Sequence, residues 1–187
     1  MNPDIPLHIV VFFLFMALYG FSEIAAILLS KGRVNVRTKD WTLLAVSLPF
    51  FLSWVSSALE AVIRKSAYSP FCFIPGVALL ITGSVIRMSA FFSLKAAFST
   101  AVERTPGQKL VKTGIYASIR HPLYLATIIL GFSAPLALAA PFSLAFSLLT
   151  IAGVLTRIRK EEAFLSRNLP GYAKYIRSTK RLIPGVF

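Results

Sequence analysis

Three long apolar runs, Ile5 to Leu29, Trp41 to Ile63 and Phe71 to Phe92, most narrowly limit what this chain can fold into. Each reaches the roughly 20 helical residues that cross about 30 Å of hydrocarbon. The first run has no Lys or Arg before it and is too long for the apolar part of a cleaved signal peptide, so it reads as a span. Its one acid, Glu23, suits a buried partner of a basic group or a position near the interface. In the second run, Trp41 is placed as an interfacial anchor, Pro49 as a kink, and Glu60 and Arg64 are spaced to pair one turn apart. The third run holds Pro75, Gly76 and Gly83, which permit bends or close helix contact. Arg87 near its end is expected to snorkel to the interface rather than face an internal site.

Two shorter apolar segments follow, Pro122 to Leu138 and Phe142 to Thr156, joined by Ala139, Ala140 and Pro141. Each is near the lower limit for a span, so they form a tight transmembrane hairpin or a re-entrant one. Either way the chain returns to the side it left. The expectation is an all-α, polytopic integral membrane protein of about five transmembrane helices. A helical hairpin and a cytoplasmic amphipathic C-terminal helix complete it. The chain reads as one membrane domain over residues 1–187, with three N-terminal spans in 1–92 and a loop, hairpin and tail in 93–187.

Charge agrees with that reading. Only 14% of the residues are charged, against about 25% in soluble domains. The net charge is +13, but the basic residues flank apolar runs. That pattern fits membrane topology and contacts to lipid headgroups, and speaks against a nucleic-acid partner. The loop after the first run carries four Lys/Arg, the stretch from Ser93 to Arg120 five, and the tail from Arg157 eight. The residues before the first run carry none, and the Arg64–Lys65 turn two. The positive-inside rule then places the N-terminus outside and the C-terminus in the cytoplasm. The membrane is a prokaryotic plasma membrane or an endoplasmic reticulum.

Cys72 is the single cysteine, so an intramolecular disulfide or thiolate cluster is excluded. His8 and His121 are the only histidines, and no metal site is expected.

Chemistry gathers at two polar runs set hard against apolar segments. The first, Lys109 to Tyr124, reads K-L-V-K-T-G-I-Y-A-S-I-R-H-P-L-Y. The second runs from Arg157 to Pro184. Its expected form is a helix over Ile158 to Asn168, a break at Pro170-Gly171 and a shorter helix. Arg157 and Glu161 share a helix face one turn apart. Taken alone, this is also the pattern of an amphipathic helix lying on the membrane.

The ordered set G-x-Y-x-x-x-R-H-P-x-Y, an apolar hairpin, R-x-x-x-E-E-x-x-L and G-Y-x-x-Y resembles the isoprenylcysteine carboxyl methyltransferase family. Membrane methyltransferases acting on phospholipid amines share much of it. The likeness covers about Phe98 to Pro184. It implies a cytosol-facing pocket for S-adenosylmethionine, with S-adenosylhomocysteine as product. The positions implied at that pocket are Leu110, Val111, Gly114, Tyr116, His121, Pro122 and Tyr124. Gln108, where the family often has His, is a further polar contact. Glu161 and Glu162 complete the set, and Arg157 with Glu161 is the implied catalytic pair.

These roles suit the chemistry. Apolar and aromatic walls take adenine, and carboxylates take ribose hydroxyls or an ammonium. A carboxylate acceptor is already a nucleophile at neutral pH, and an arginine fork can hold it. An amine acceptor needs a base, for which Glu161 or His121 would serve.

Each residue also has a plainer role. His121 could simply cap the helix that starts at Pro122. Tyr116, Tyr124, Tyr172 and Tyr175 could form an interfacial belt. Arg120 is expected at phosphate headgroups.

The leading expectation is methyl transfer to the carboxylate of a prenylcysteine-type lipid that enters from the membrane. A phospholipid amine is the runner-up acceptor. A membrane reductase, suggested by R-H-P-x-Y, and a non-enzymatic bundle are the alternatives.

Overall fold

The computed structural model describes residues 7–29, 40–94 and 110–185. Their elements are α1 (Leu7–Leu29), α2 (Trp41–Ile63), α3 (Pro70–Leu94), a 3₁₀ turn (Gly114–Ala117), α4 (Pro122–Ala137), α5 (Leu144–Asn168) and α6 (Tyr172–Ser178). Among the described residues there is no β-sheet, only one isolated bridge between Ile119 and Lys180. The loop with the four basic residues and Gln108 lie outside the described residues.

Helices α2 and α3 have membrane-spanning length and mean hydropathies of 1.7 and 1.8. Only 22% and 17% of their apolar windows are buried. Leu44, Leu48, Phe51, Val55, Leu59 and Val62 face outward along α2, and Ile74, Ile81, Val85 and Phe92 along α3. Core helices of soluble proteins turn such surface inward, and contiguous exposed apolar faces of this extent mark contact with lipid. The chain is an integral membrane protein.

The apolar segment Phe142–Thr156 and the expected tail helix Ile158–Asn168 are one continuous helix, α5. The junction has no Gly or Pro, so polarity changes there while the backbone continues. Its start is held by α2. Glu60 Oε2 accepts hydrogen bonds from the Ser143 amide at 3.0 Å and the Ser143 hydroxyl at 2.8 Å. The expected Glu60–Arg64 pair is present at 3.2 Å, so Glu60 serves both its own helix and the hairpin.

Prolines decide how the helices meet. Pro135 has no N–H to give the carbonyl of Gly131 one turn earlier. That carbonyl instead accepts the hydroxyls of Ser53 and Ser147, both at 2.7 Å. Three helices are thereby joined at a buried polar point, and Trp54 Nε1 adds a bond to Leu130 O at 3.0 Å. Pro49 likewise frees the carbonyl of Ala45. Gly153 of α5 packs so closely on it that a Cβ there would collide with the carbonyl oxygen. A Cβ at Gly76 would strike the Ala137 backbone, so the glycines of α3 and α5 set close approaches of the kind membrane helices use. Ile9 and Phe12 of α1 join Trp54, Leu80 and Leu130 in the main apolar core.

Candidate active site

Helix α4 begins with Pro122 in its first turn, where a missing N–H costs nothing. His121 occupies the N-cap position, but its side chain makes no capping bond. The segment before it is fixed by the tail. The amide of Arg120 donates to Lys180 O at 2.8 Å and that of His121 to Arg181 O at 3.0 Å. Leu182 next in line is buried against Val46, Val154 and Ile158. Tyr175 donates to the Tyr116 carbonyl at 2.6 Å, across the same junction. Gly171, with φ of 81°, makes the turn that starts α6, a conformation that favours glycine.

Arg120 is not at the headgroups. It is 9% exposed, and its Nε donates to Glu162 Oε1 at 2.8 Å. Its Nη1 donates to the carbonyls of Ile176, at 3.1 Å, and Thr179. A guanidinium can be buried when carbonyls and a carboxylate meet its donors. Glu162 also faces His121 Nε2 at 3.2 Å and takes Arg181 Nε at 2.9 Å. Burial alone would raise its carboxyl. The hydrogen bonds and charges of His121 and Arg120 outweigh that and hold it down at about 2. Glu162 is therefore the anionic centre that ties α5, the start of α4 and the tail together.

Nor do the tyrosines form a belt. Tyr116, Tyr172 and Tyr175 are all buried, and Tyr124 is partly so. Burial, with the nearby Glu161 adding to it, pushes the Tyr116 phenol well above its usual range, so it stays neutral.

The two residues expected to act as a pair, Arg157 and Glu161, are joined through a third. Arg157 Nε donates to the Tyr124 hydroxyl at 2.7 Å, and that hydroxyl donates to Glu161 Oε2 at 2.6 Å. Arg157 is 4% exposed. Its Nη1 donates to Thr42 Oγ1 at 3.0 Å and to Asp40 Oδ2 at 3.3 Å. Beside this chain, the His121 and Tyr124 rings lie 5.6 Å apart. Leu110 and Val111 are half-buried. Gly114 has φ of 61°, and a Cβ there would come within 2.5 Å of Ser93 Oγ, so only glycine suits the start of the 3₁₀ turn.

Three residues at this end were not expected at the site. Arg87 turns inward rather than snorkelling. Its Nη1 donates to Thr127 Oγ1 of α4 at 3.2 Å, its guanidinium lies over the Phe91 ring, and its charge acts on Tyr116. An arginine inside an apolar run was the available signal. Asp40 and Thr42 are the others. In sequence they look like a helix start, Asp-Trp-Thr, and nothing local points them at Arg157.

An all-helical membrane bundle that gathers Tyr116, His121, Tyr124, Arg157 and Glu161 at one end is the kind of protein defined here. Residues 76–167 match the model of the isoprenylcysteine carboxyl methyltransferase (ICMT) family. The fold matches a structure of the eukaryotic intramembrane Ras methyltransferase ICMT. The TM-score is 0.71 with 23% sequence identity, over 98% of this chain and 70% of that one. Protein YpbQ of Bacillus subtilis (strain 168), itself uncharacterized, is 30% identical over 124 residues, 66% of this chain and 71% of that protein. The nickel-cobalt-cadmium resistance protein NccN of Alcaligenes xylosoxydans xylosoxydans is 41% identical over 41% of this chain. The cobalt-zinc-cadmium resistance protein CzcN of Cupriavidus metallidurans (strain ATCC 43123 / DSM 2839 / NBRC 102507 / CH34) is 40% identical over 40%. The chain spans about a third of those two resistance proteins, 36% and 35% of their lengths. The chain belongs to the isoprenylcysteine carboxyl methyltransferase family.

Proposed function

We propose that this protein is a membrane methyltransferase that uses S-adenosylmethionine to methylate the carboxylate of a prenylcysteine-type lipid. The observation that carries the reading is the hydrogen-bonded chain Arg157–Tyr124–Glu161 between α4 and α5 in a member of this family. The cofactor would supply an activated methyl group on a sulfonium.

The residues fit that group. Leu110 and Val111 offer half-buried apolar surface for an adenine, and Gly114, packed against Ser93, starts the turn beside them. Glu161 offers a carboxylate for a ribose diol or an ammonium. We place His121, Pro122 and Tyr116, all buried, behind that surface. Glu162 has both oxygens engaged by Arg120, His121 and Arg181. We therefore assign it to holding the tail rather than to touching the cofactor.

Arg157 sets its positive charge beside the acceptor carboxylate and aligns it with the methyl group. Tyr124 accepts from Arg157 Nε and donates its hydroxyl hydrogen bond to Glu161, so the guanidinium and the carboxylate are set at one spacing. No general base is needed, because a carboxylate is ionised at neutral pH. Lipid enters from the side of the bundle, and the acid group stays at the polar end. We place that end in the cytoplasm, from the distribution of Lys and Arg.

The test is calorimetry of the purified protein in detergent with S-adenosylhomocysteine, alongside a nicotinamide dinucleotide. Methyl transfer to a prenylcysteine lipid and to phosphatidylethanolamine is measured in parallel. Binding of S-adenosylhomocysteine with transfer to the carboxylate lipid supports the proposal. Transfer only to the amine lipid moves the acceptor class. Binding of the nicotinamide alone overturns the methyltransferase reading.

A further inference from the structure

The start of α2 lies outside the stretch that matches the family model, yet it reaches the candidate site. Asp40 is the N-cap of α2, and its Oδ1 accepts the Thr42 amide at 3.1 Å. The same oxygen accepts the Thr42 hydroxyl at 2.7 Å and Lys160 Nζ at 2.8 Å. Its Oδ2 takes Arg157 Nη1 at 3.3 Å. Thr42 is fully buried. Its hydroxyl gives its proton to Asp40 and accepts from Arg157 Nη1, so its direction is fixed at both ends.

We infer that Asp40 and Thr42 are positioning residues, which set the guanidinium of Arg157 for the acceptor; this rests on the function proposed above. Arg157 donates in two directions. On one side its Nη1 meets Thr42 and Asp40, and on the other its Nε meets Tyr124. Two contacts on different nitrogens hold a planar group against both rotation and tilt. Without the first contact, the fork swings about the Nε–Tyr124 bond, and an acceptor carboxylate is no longer held in line. Such misplacement is costly in rate even where the chemistry is untouched. Asp40 can do this as an anion. Burial would raise its carboxyl, but hydrogen bonds from Lys160 and Thr42 and the charge of Arg157 bring it down to about 2.

The separation from a mere helix cap is direct. Asparagine caps a helix as well as aspartate does. Asp40→Asn therefore keeps the bond to the Thr42 amide and removes the charge that faces Arg157. Thr42→Val removes the hydroxyl at nearly constant shape, and Thr42→Ser restores it. We expect Asp40→Asn and Thr42→Val to lower kcat/KM for the acceptor by about tenfold to a hundredfold. S-adenosylhomocysteine affinity should stay within about twofold and melting within a few degrees of wild type. Thr42→Ser should recover most of the rate. Lys160→Met, which removes the exposed partner of Asp40, should not reproduce the loss.

Wild-type kcat/KM in Asp40→Asn and Thr42→Val would overturn the inference while leaving the methyltransferase reading in place. So would a rate loss matched by equal loss of cofactor affinity and folding, or reproduced by Lys160→Met. Absence of methyl transfer by the wild-type protein to every lipid acceptor would instead overturn the underlying reading, and this inference with it.

Discussion

Tyr124 on α4 and Arg157 on α5 meet at 2.7 Å, phenol oxygen to guanidinium Nε. The same phenol donates to Glu161 at 2.6 Å, so one hydroxyl sets the spacing of a cation and an anion on the neighbouring helix. Tyr124→Phe removes that oxygen and keeps the ring. We expect the methyl-transfer rate to fall at least about tenfold. The stability loss should be about 1–3 kcal/mol, for the buried donor left without its partner. Initial rates and thermal melting in detergent check both numbers. A wild-type rate would show that the hydroxyl is only a packing contact.

The nature of the acceptor is read from the two ends of this chain. If the acceptor is a carboxylate, Arg157→Lys is severely impaired although the charge is kept, because the planar fork is lost. Glu161→Gln is impaired as well. If the acceptor is an amine, Arg157→Lys is tolerated and Glu161→Gln stays severe, since the base is gone. Rates on both lipids with both variants separate the cases. Near-wild-type rates throughout would leave the pair as a structural tie between helices.

Glu162 makes stability depend on acid. Its carboxyl is held at about 2, below the ordinary 4.5. A lowered carboxyl stabilises the fold fully above the ordinary value, and the benefit is lost as pH falls toward the folded value. Melting temperature should therefore drop between about pH 4.5 and 2 in the wild type. Glu162→Gln should melt lower at pH 7, by about 3–5 kcal/mol for a broken buried pair, and should lose less on acidification. Equal acid slopes in the two proteins would refute this role.

The carbonyl of Gly131, freed by Pro135, has two hydroxyl partners, Ser53 and Ser147. Either Ser→Ala change alone leaves one partner and should cost little. The double change leaves the carbonyl unmet and should cost about 1–3 kcal/mol. Adding Pro135→Ala returns an N–H to that carbonyl and should recover part of the loss. Additive single effects with no recovery would break the argument.

The charge distribution predicts a cytoplasmic tail. In a Cys72→Ser background, a cysteine introduced at Lys174, which is exposed on α6, should resist an impermeant thiol reagent in intact cells and react after lysis. Labelling in intact cells would reverse the orientation.

Much was decided by the sequence alone. Apolar runs fixed where α2, α3 and α4 begin and end to within a residue or two, because length and hydropathy are local properties of a lipid-spanning helix. Helical spacing in R-x-x-x-E-E put Arg157 and Glu161 on one face, and the family resemblance singled out R-H-P-L-Y as its companion in the candidate site. The break at Pro170-Gly171 was legible for the same local reason. Other features depended on which helices pack together. Spacing along α5 could not reveal that Tyr124 stands between Arg157 and Glu161, nor that Arg157 is held from α2. Those partners lie far away in sequence, and a hydrogen bond is specified by where two backbones place their side chains. Arg120 and Arg87 were misjudged for that reason. A basic residue near a membrane face goes to headgroups by default, and only the folded tail and α4 supplied the carboxylate, carbonyls and hydroxyl that drew these two inward.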